Sequence, residues 1–284
     1  MLAKNLIISA MEDTDTFFYD EVEFTMKYEL NCSDLAIAAV RSVGDQARVC
    51  FSNDLCNFEI DNVERFLFVL FIISHEIAHF ISFHHMHNDK EKLDSVSIES
   101  RADFFGAQIA LTLMTFGKSM HGLLQKHNLN NENKGIEPKT IINAIFSLND
   151  QVFVNNTSLT YPTSQYRVLS MLAACIAFFS VYSTENEQEF DIWFVRELSE
   201  NLARLPLIDD HEDTINTISS RLEEIHKKLQ WGNPVSVGGI KFEYAPYLTT
   251  NYILPDEFIS KQREYGKERF YQLLNEAVGI DFEK

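Results

Sequence analysis

Two histidines four residues apart, His75 and His79, flank Glu76 in the run Ser74-His75-Glu76-Ile77-Ala78-His79-Phe80. Residues 66–83 are mostly apolar, and neither Pro nor Gly interrupts 61–87. The pattern predicts one helix from Asp61 to His87, capped by Asp61, with Glu64 answering from three residues on. On a helix, positions four apart share a face one turn apart, so His75 and His79 can hold the same metal ion. Glu76 is turned by about 100° from His75. It misses the ion and reaches a water bound to it. Two imidazoles and a nearby carboxylate suit hydrolytic zinc chemistry. The alternative is a buried helix with two hydrogen-bonded core histidines. It would leave Glu76 charged among Ile72, Ile73, Ile77 and Phe80, which is costly without a partner.

A third ligand must come from elsewhere. His85 stands six residues after His79, the last position of H-E-x-x-H-x-x-G-x-x-H, but Ser82 occupies the Gly position where the chain would turn. His84, His85 and His87 then read as a polar helix end. The next helix offers Glu99. Ser97 can cap it and Gly117 can end it. Ala102, Gly106 and Ala110 form a small-residue groove along which another helix can approach closely. Such an approach would bring Glu99 to the ion, giving His₂Glu with one open position, the pattern of a catalytic zinc site. Asp103, on the same face as Glu99, would hold the free ring nitrogen of His75. The competing reading is a solvated acidic face, which Arg101 favours and Phe104, Phe105 and Ile109 oppose.

H-E-x-x-H followed by Glu99-Ser100-Arg101-Ala102-Asp103 (E-x-x-A-D) resembles the gluzincin metallopeptidases. That group includes integral-membrane CAAX-processing and heat-shock-type peptidases and the soluble Lit-like phage-exclusion peptidases. Many members carry a later H-P with an Arg six residues after the His. Here Tyr161-Pro162 precedes Arg167, with Tyr161 in the His position. The resemblance covers 61–182 and implies zinc-dependent hydrolysis of a peptide bond in a protein or peptide substrate. Zinc on His75, His79 and Glu99 would activate water, and Glu76 would carry the proton to the leaving amine. Tyr161 and Arg167 would stabilise the oxyanion, since a phenol can donate a hydrogen bond as an imidazole can. A soluble Lit-like layout implies a cytoplasmic protein, a phage-defence setting and an activating or inhibiting protein partner. A second function stays open: a catalytically silent zincin-fold regulatory or toxin protein that acts by binding a partner. The presence of Glu76 favours the enzyme.

The elements around these motifs predict an α+β, predominantly helical fold. A small N-terminal sheet would pack on zincin-type active-site helices, with a helical C-terminal part. Strands are expected at 6–8, 22–28 and 48–51, and a helix or helical crossover at 33–43. The sheet either backs the core or pairs its edge with an extended peptide. An apolar helix is expected at 141–148. Residues 1–183 would form the metallopeptidase domain. Residues 184–284 would add helices at 190–205 and 214–229, a hairpin at 235–242 and a last helix at 255–278. This region either belongs to the same domain or serves as a substrate or partner lid. Net charge is −18 over 284 residues, which opposes a nucleic-acid surface. The apolar stretch 168–182 reads as a core helix, too short for a membrane span. The four cysteines (Cys32, Cys50, Cys56, Cys175) form no C-x-x-C and suggest a reducing compartment.

Overall fold

The computed structural model describes residues 1–22, 24–87, 92–129, 136–154, 162–186, 189–201, 212–230 and 239–248. The fold is α+β and predominantly helical, with one small N-terminal sheet. The chain opens with helix α1 (Ala3–Thr16), where a strand was expected at 6–8. Its buried residues Ala3, Leu6, Ile7, Ala10, Met11 and Thr14 recur every three or four positions. That helical period over twelve residues outweighs three consecutive apolar side chains.

The sheet follows: β1 (Tyr28–Cys32), β2 (Ala38–Arg41) and β3 (Arg48–Ser52). β1 begins where the expected strand at 22–28 ends, and β3 falls where one was expected. β2 replaces the helix expected at 33–43. β3 is central, parallel to β1 and antiparallel to β2. Pairing with β3, from Ala38 opposite Phe51 to Arg41 opposite Arg48, overrides the alanine-rich helix propensity of this segment. The positive φ of Ser42 and Gly44 breaks the chain immediately afterwards.

After the short helix α2 (Asn53–Cys56) comes α3 (Val63–Ile81). Asn62, not Asp61, caps it, accepting from the Arg65 amide. The helix stops at Ile81, six residues before the expected end. Ser82 leaves helical geometry and Phe83 turns left-handed with φ 58°, folding a single turn, His84–Met86, back over the helix end. Helix α4 (Lys92–Phe116) packs against α3; it starts before Ser97, the expected cap, and ends just before Gly117 as expected. The two helices cross at Gly106. A Cβ there would lie 2.8 Å from His75 Cα and 2.9 Å from its nitrogen, closer than van der Waals contact permits.

The remaining helices are α5 (Lys118–Lys126), α6 (Pro138–Leu148), α7 (Ser164–Asn186), α8 (Phe190–Asn201) and α9 (Glu212–Gln230). A π-helical turn at Asn149–Phe153 follows α6. Residues 164–184 of α7 are long and apolar enough to cross a membrane by length and composition, and 56% of their most apolar window is buried in the protein. Helix α8 and residues 239–248 pack on the same core, with Phe194 against Phe179 and Tyr247 against Phe178. Of the expected hairpin at 235–242 only 239–242 are described, and Ile240 bridges to Phe18. Tyr161 and the expected helix at 255–278 lie outside the described residues.

The crossing yields a paired prediction. Gly106→Ala should lower the urea midpoint, because overpacking against backbone costs about 1–3 kcal/mol and exceeds the helix-propensity gain. Gly122→Ala in α5, where nothing lies within 4 Å of the added carbon, should raise stability by up to about 1 kcal/mol.

Candidate metal centre

Helix α3 presents His75 and His79 from successive turns, and α4 brings Glu99 against them. The two Nε2 atoms are 3.1 Å apart. Glu99 Oε2 lies 3.3 Å from His75 Nε2, and Oε1 lies 3.6 Å from His79 Nε2. Ligands about 2.0–2.2 Å from a tetrahedral ion stand roughly 3.3–3.6 Å from one another. The two gaps to Glu99 fall in that range, and the 3.1 Å between the two Nε2 atoms is slightly tighter, so a small shift of one ring would seat one small cation among all three. Glu99 Oε2 is buried and makes no hydrogen bond, as expected of an oxygen directed at a cation. The residues fit a metal by donor type, number and spacing.

The charges lean the same way. Burial disfavours a charged His75, but Asp103 and Glu99 outweigh it and push its pKa up to about 10. Burial likewise raises the Glu99 carboxyl, and His79 and His75 more than reverse this, holding it well below the usual carboxylate range. The site holds negative charge that calls for protons or a cation.

Asp103 stands behind His75, with Oδ1 3.0 Å from Nδ1. The contact is close but poorly aligned for a hydrogen bond, since Nδ1 has no partner of good geometry. Arg167 on α7 grips the same carboxylate: Nε donates to Oδ2 at 2.7 Å and Nη2 to Oδ1 at 2.8 Å. Its guanidinium lies 3.9 Å over the Phe153 ring, on the π-helical turn. Arg167 was expected to meet an oxyanion. It does line the cavity beside Glu76, but two of its donors are committed to Asp103. A buried carboxylate draws a buried guanidinium more strongly than an open cleft does, so Arg167 acts as the clamp on Asp103.

Glu76 sits between two cavities. One, of about 230 Å³, has walls from Ile37, Phe71, Ile72, Leu148, Phe153 and Met171. The other, of about 290 Å³, opens toward His79, His84, His85 and Glu99. Strand β2, at the edge of the sheet, borders both. Burial raises the Glu76 pKa; His75 and His79 pull it down, Glu99 adds to the rise, and a hydrogen bond to the Val40 backbone opposes it. A carboxylate whose pKa is pushed upward, beside side chains that could hold a metal, is suited to taking a proton.

Two functional candidates were missed. His84 Nδ1 lies 2.8 Å from His79 Nδ1, and His84 Nε2 lies 2.9 Å from Nε2 of His226 on α9. His85 lies outside the converging group and stacks on Phe80 instead. The run of histidines after His79 was a usable signal for His84, although the turn at Phe83 was not legible. Nothing local marks His226.

Arg167→Met should cost about 3–5 kcal/mol in urea unfolding, because it strands a buried carboxylate. Asp103's folded pKa is depressed: burial raises it, but Arg167 and His75 lower it further. Its stabilising contribution is therefore present above the ordinary 3.8 and lost as pH falls through the lower folded value. The gap between wild type and variant should narrow on that acidification.

No family model matches the chain, and no curated protein or solved structure does so either.

Proposed function

We propose that the chain is a zinc-dependent endopeptidase with a zincin-type arrangement of α3 and α4. The observation that carries this reading is the convergence of His75 Nε2, His79 Nε2 and the Glu99 carboxylate, with Glu76 half-buried beside the opening. Zinc held by His75, His79 and Glu99 would supply an acidified water and a Lewis acid for a peptide carbonyl. Glu76 accepts the proton of that water and returns it to the leaving amine. Burial raises its pKa, which favours holding the proton between the two transfers. Asp103 faces the second nitrogen of His75, and Arg167 holds Asp103.

The protein-substrate reading draws on β2. An edge strand offers backbone N–H and C=O groups to an extended peptide, with alternate side chains dropping into flanking pockets. The apolar cavity walled by Phe71, Ile72 and Met171 suits one bulky apolar side chain next to the scissile bond.

Glu76→Gln should keep zinc and lower hydrolysis by about 10²-fold or more, while His79→Ala should lose stoichiometric zinc by elemental analysis. The substrate is sought by digesting a denatured proteome with and without a zinc chelator. Cleavage that survives both the chelator and Glu76→Gln would refute the mechanism.

A further inference from the structure

His84 and His226 have no part in the chemistry just described, yet both are buried, at 7% and 1% exposure. They extend a line of rings from the metal centre to α9: His79 Nδ1 to His84 Nδ1, then His84 Nε2 to His226 Nε2. A neutral imidazole has one N–H and one lone pair. Such a line can therefore be ordered in only two directions, and His79 decides which.

Nε2 of His79 faces His75 and Glu99. To ligate a metal it must offer its lone pair, so the ring proton belongs on Nδ1. That N–H donates to His84 Nδ1. His84 must then carry its own proton on Nε2, which donates to His226 Nε2. A charged His84 would break the line, because it would donate from both nitrogens and force His79 into the wrong tautomer. The opposite direction puts the His79 proton on Nε2, against the other two ligand atoms.

We propose that His84 and His226 are positioning residues that lock His79 in its metal-binding tautomer, so that α9 is an integral part of the metal centre. Metal ligands commonly have their second nitrogen fixed by a carboxylate or a carbonyl; here Asp103 stands 3.0 Å from that nitrogen of His75, and His79 has the imidazole relay. Two further observations agree. The left-handed Phe83 is an unfavourable conformation for a bulky residue, and it delivers His84 onto His79. Helix α9 is also held to the start of α4: Arg221 donates through Nε and Nη2 to Asp94, which is fully buried and also meets His87 at 3.0 Å. Ile225, next to His226, is buried as well. The proposal rests on the metal reading of the site and is independent of peptide hydrolysis.

The test uses the full chain, stripped of metal, with zinc affinity read by competition against a chromophoric chelator. His226→Leu removes the acceptor and should weaken zinc binding about ten- to hundred-fold. His226→Gln, whose amide oxygen can accept from His84, should stay within a few-fold of wild type. Unfolding midpoints of the metal-free proteins separate this from general destabilisation. Unchanged affinity in a folded His226→Leu overturns the proposal. Should that variant not fold, nitrogen NMR of the zinc-loaded wild type decides. A His84 protonated on Nε2 and bare on Nδ1 supports the relay, and the reverse overturns it. Wild-type protein that takes up no zinc overturns the metal reading with this one, whereas zinc uptake indifferent to position 226 overturns this one alone.

Discussion

Two imidazole nitrogens and a carboxylate, all rich in electron density, are held within 3.6 Å of one another between two apolar helices. Without a cation or shared protons this arrangement is unfavourable, since each lone pair faces another in a medium that screens poorly. The fold nevertheless enforces it. Gly106 lets α4 lie against the backbone of His75, and a side chain there would push Glu99 away from the histidines. The close crossing is the constraint on which the site depends.

The layer behind the two histidines differs on its two sides. His75 is backed by an anion, Asp103, whose charge is balanced by Arg167. His79 is backed by a neutral ring that is itself held from α9. The difference matters for the charge of the centre. With Asp103 neutralised, Glu99 is the only uncompensated anion among the converging side chains and the described residues behind them. A divalent cation held there would retain net positive charge for work on a carbonyl. A second unpaired carboxylate behind His79 would have diminished it.

The sheet is small, but its position gives it a role. β2 lies along the opening, and the Val40 backbone reaches Glu76. The strand that walls the cleft thus also touches the proposed base. Substrate seated on β2 and proton transfer at Glu76 would share one rigid frame, which keeps reacting groups within the short distances that catalysis demands.

The sequence by itself determined what depends on near neighbours. Positions 75, 76 and 79 must fall as they do on any helix, Glu99 and Asp103 share a face for the same reason, and Gly106 marks a close approach through its missing side chain. Helix α6 and strand β3 were legible from local pattern, and α1 was too, had its helical period over residues 3–14 been weighed above three apolar residues. The tertiary structure alone decided the rest. β2 is a strand because β3 pairs with it. Phe83 turns left-handed, and His84 meets partners across the turn. Arg167 serves Asp103 across 64 residues, and His226 reaches His84 across 142. Periodicity fixes which way a side chain faces along its own element, but which distant group meets it is settled only when the elements pack.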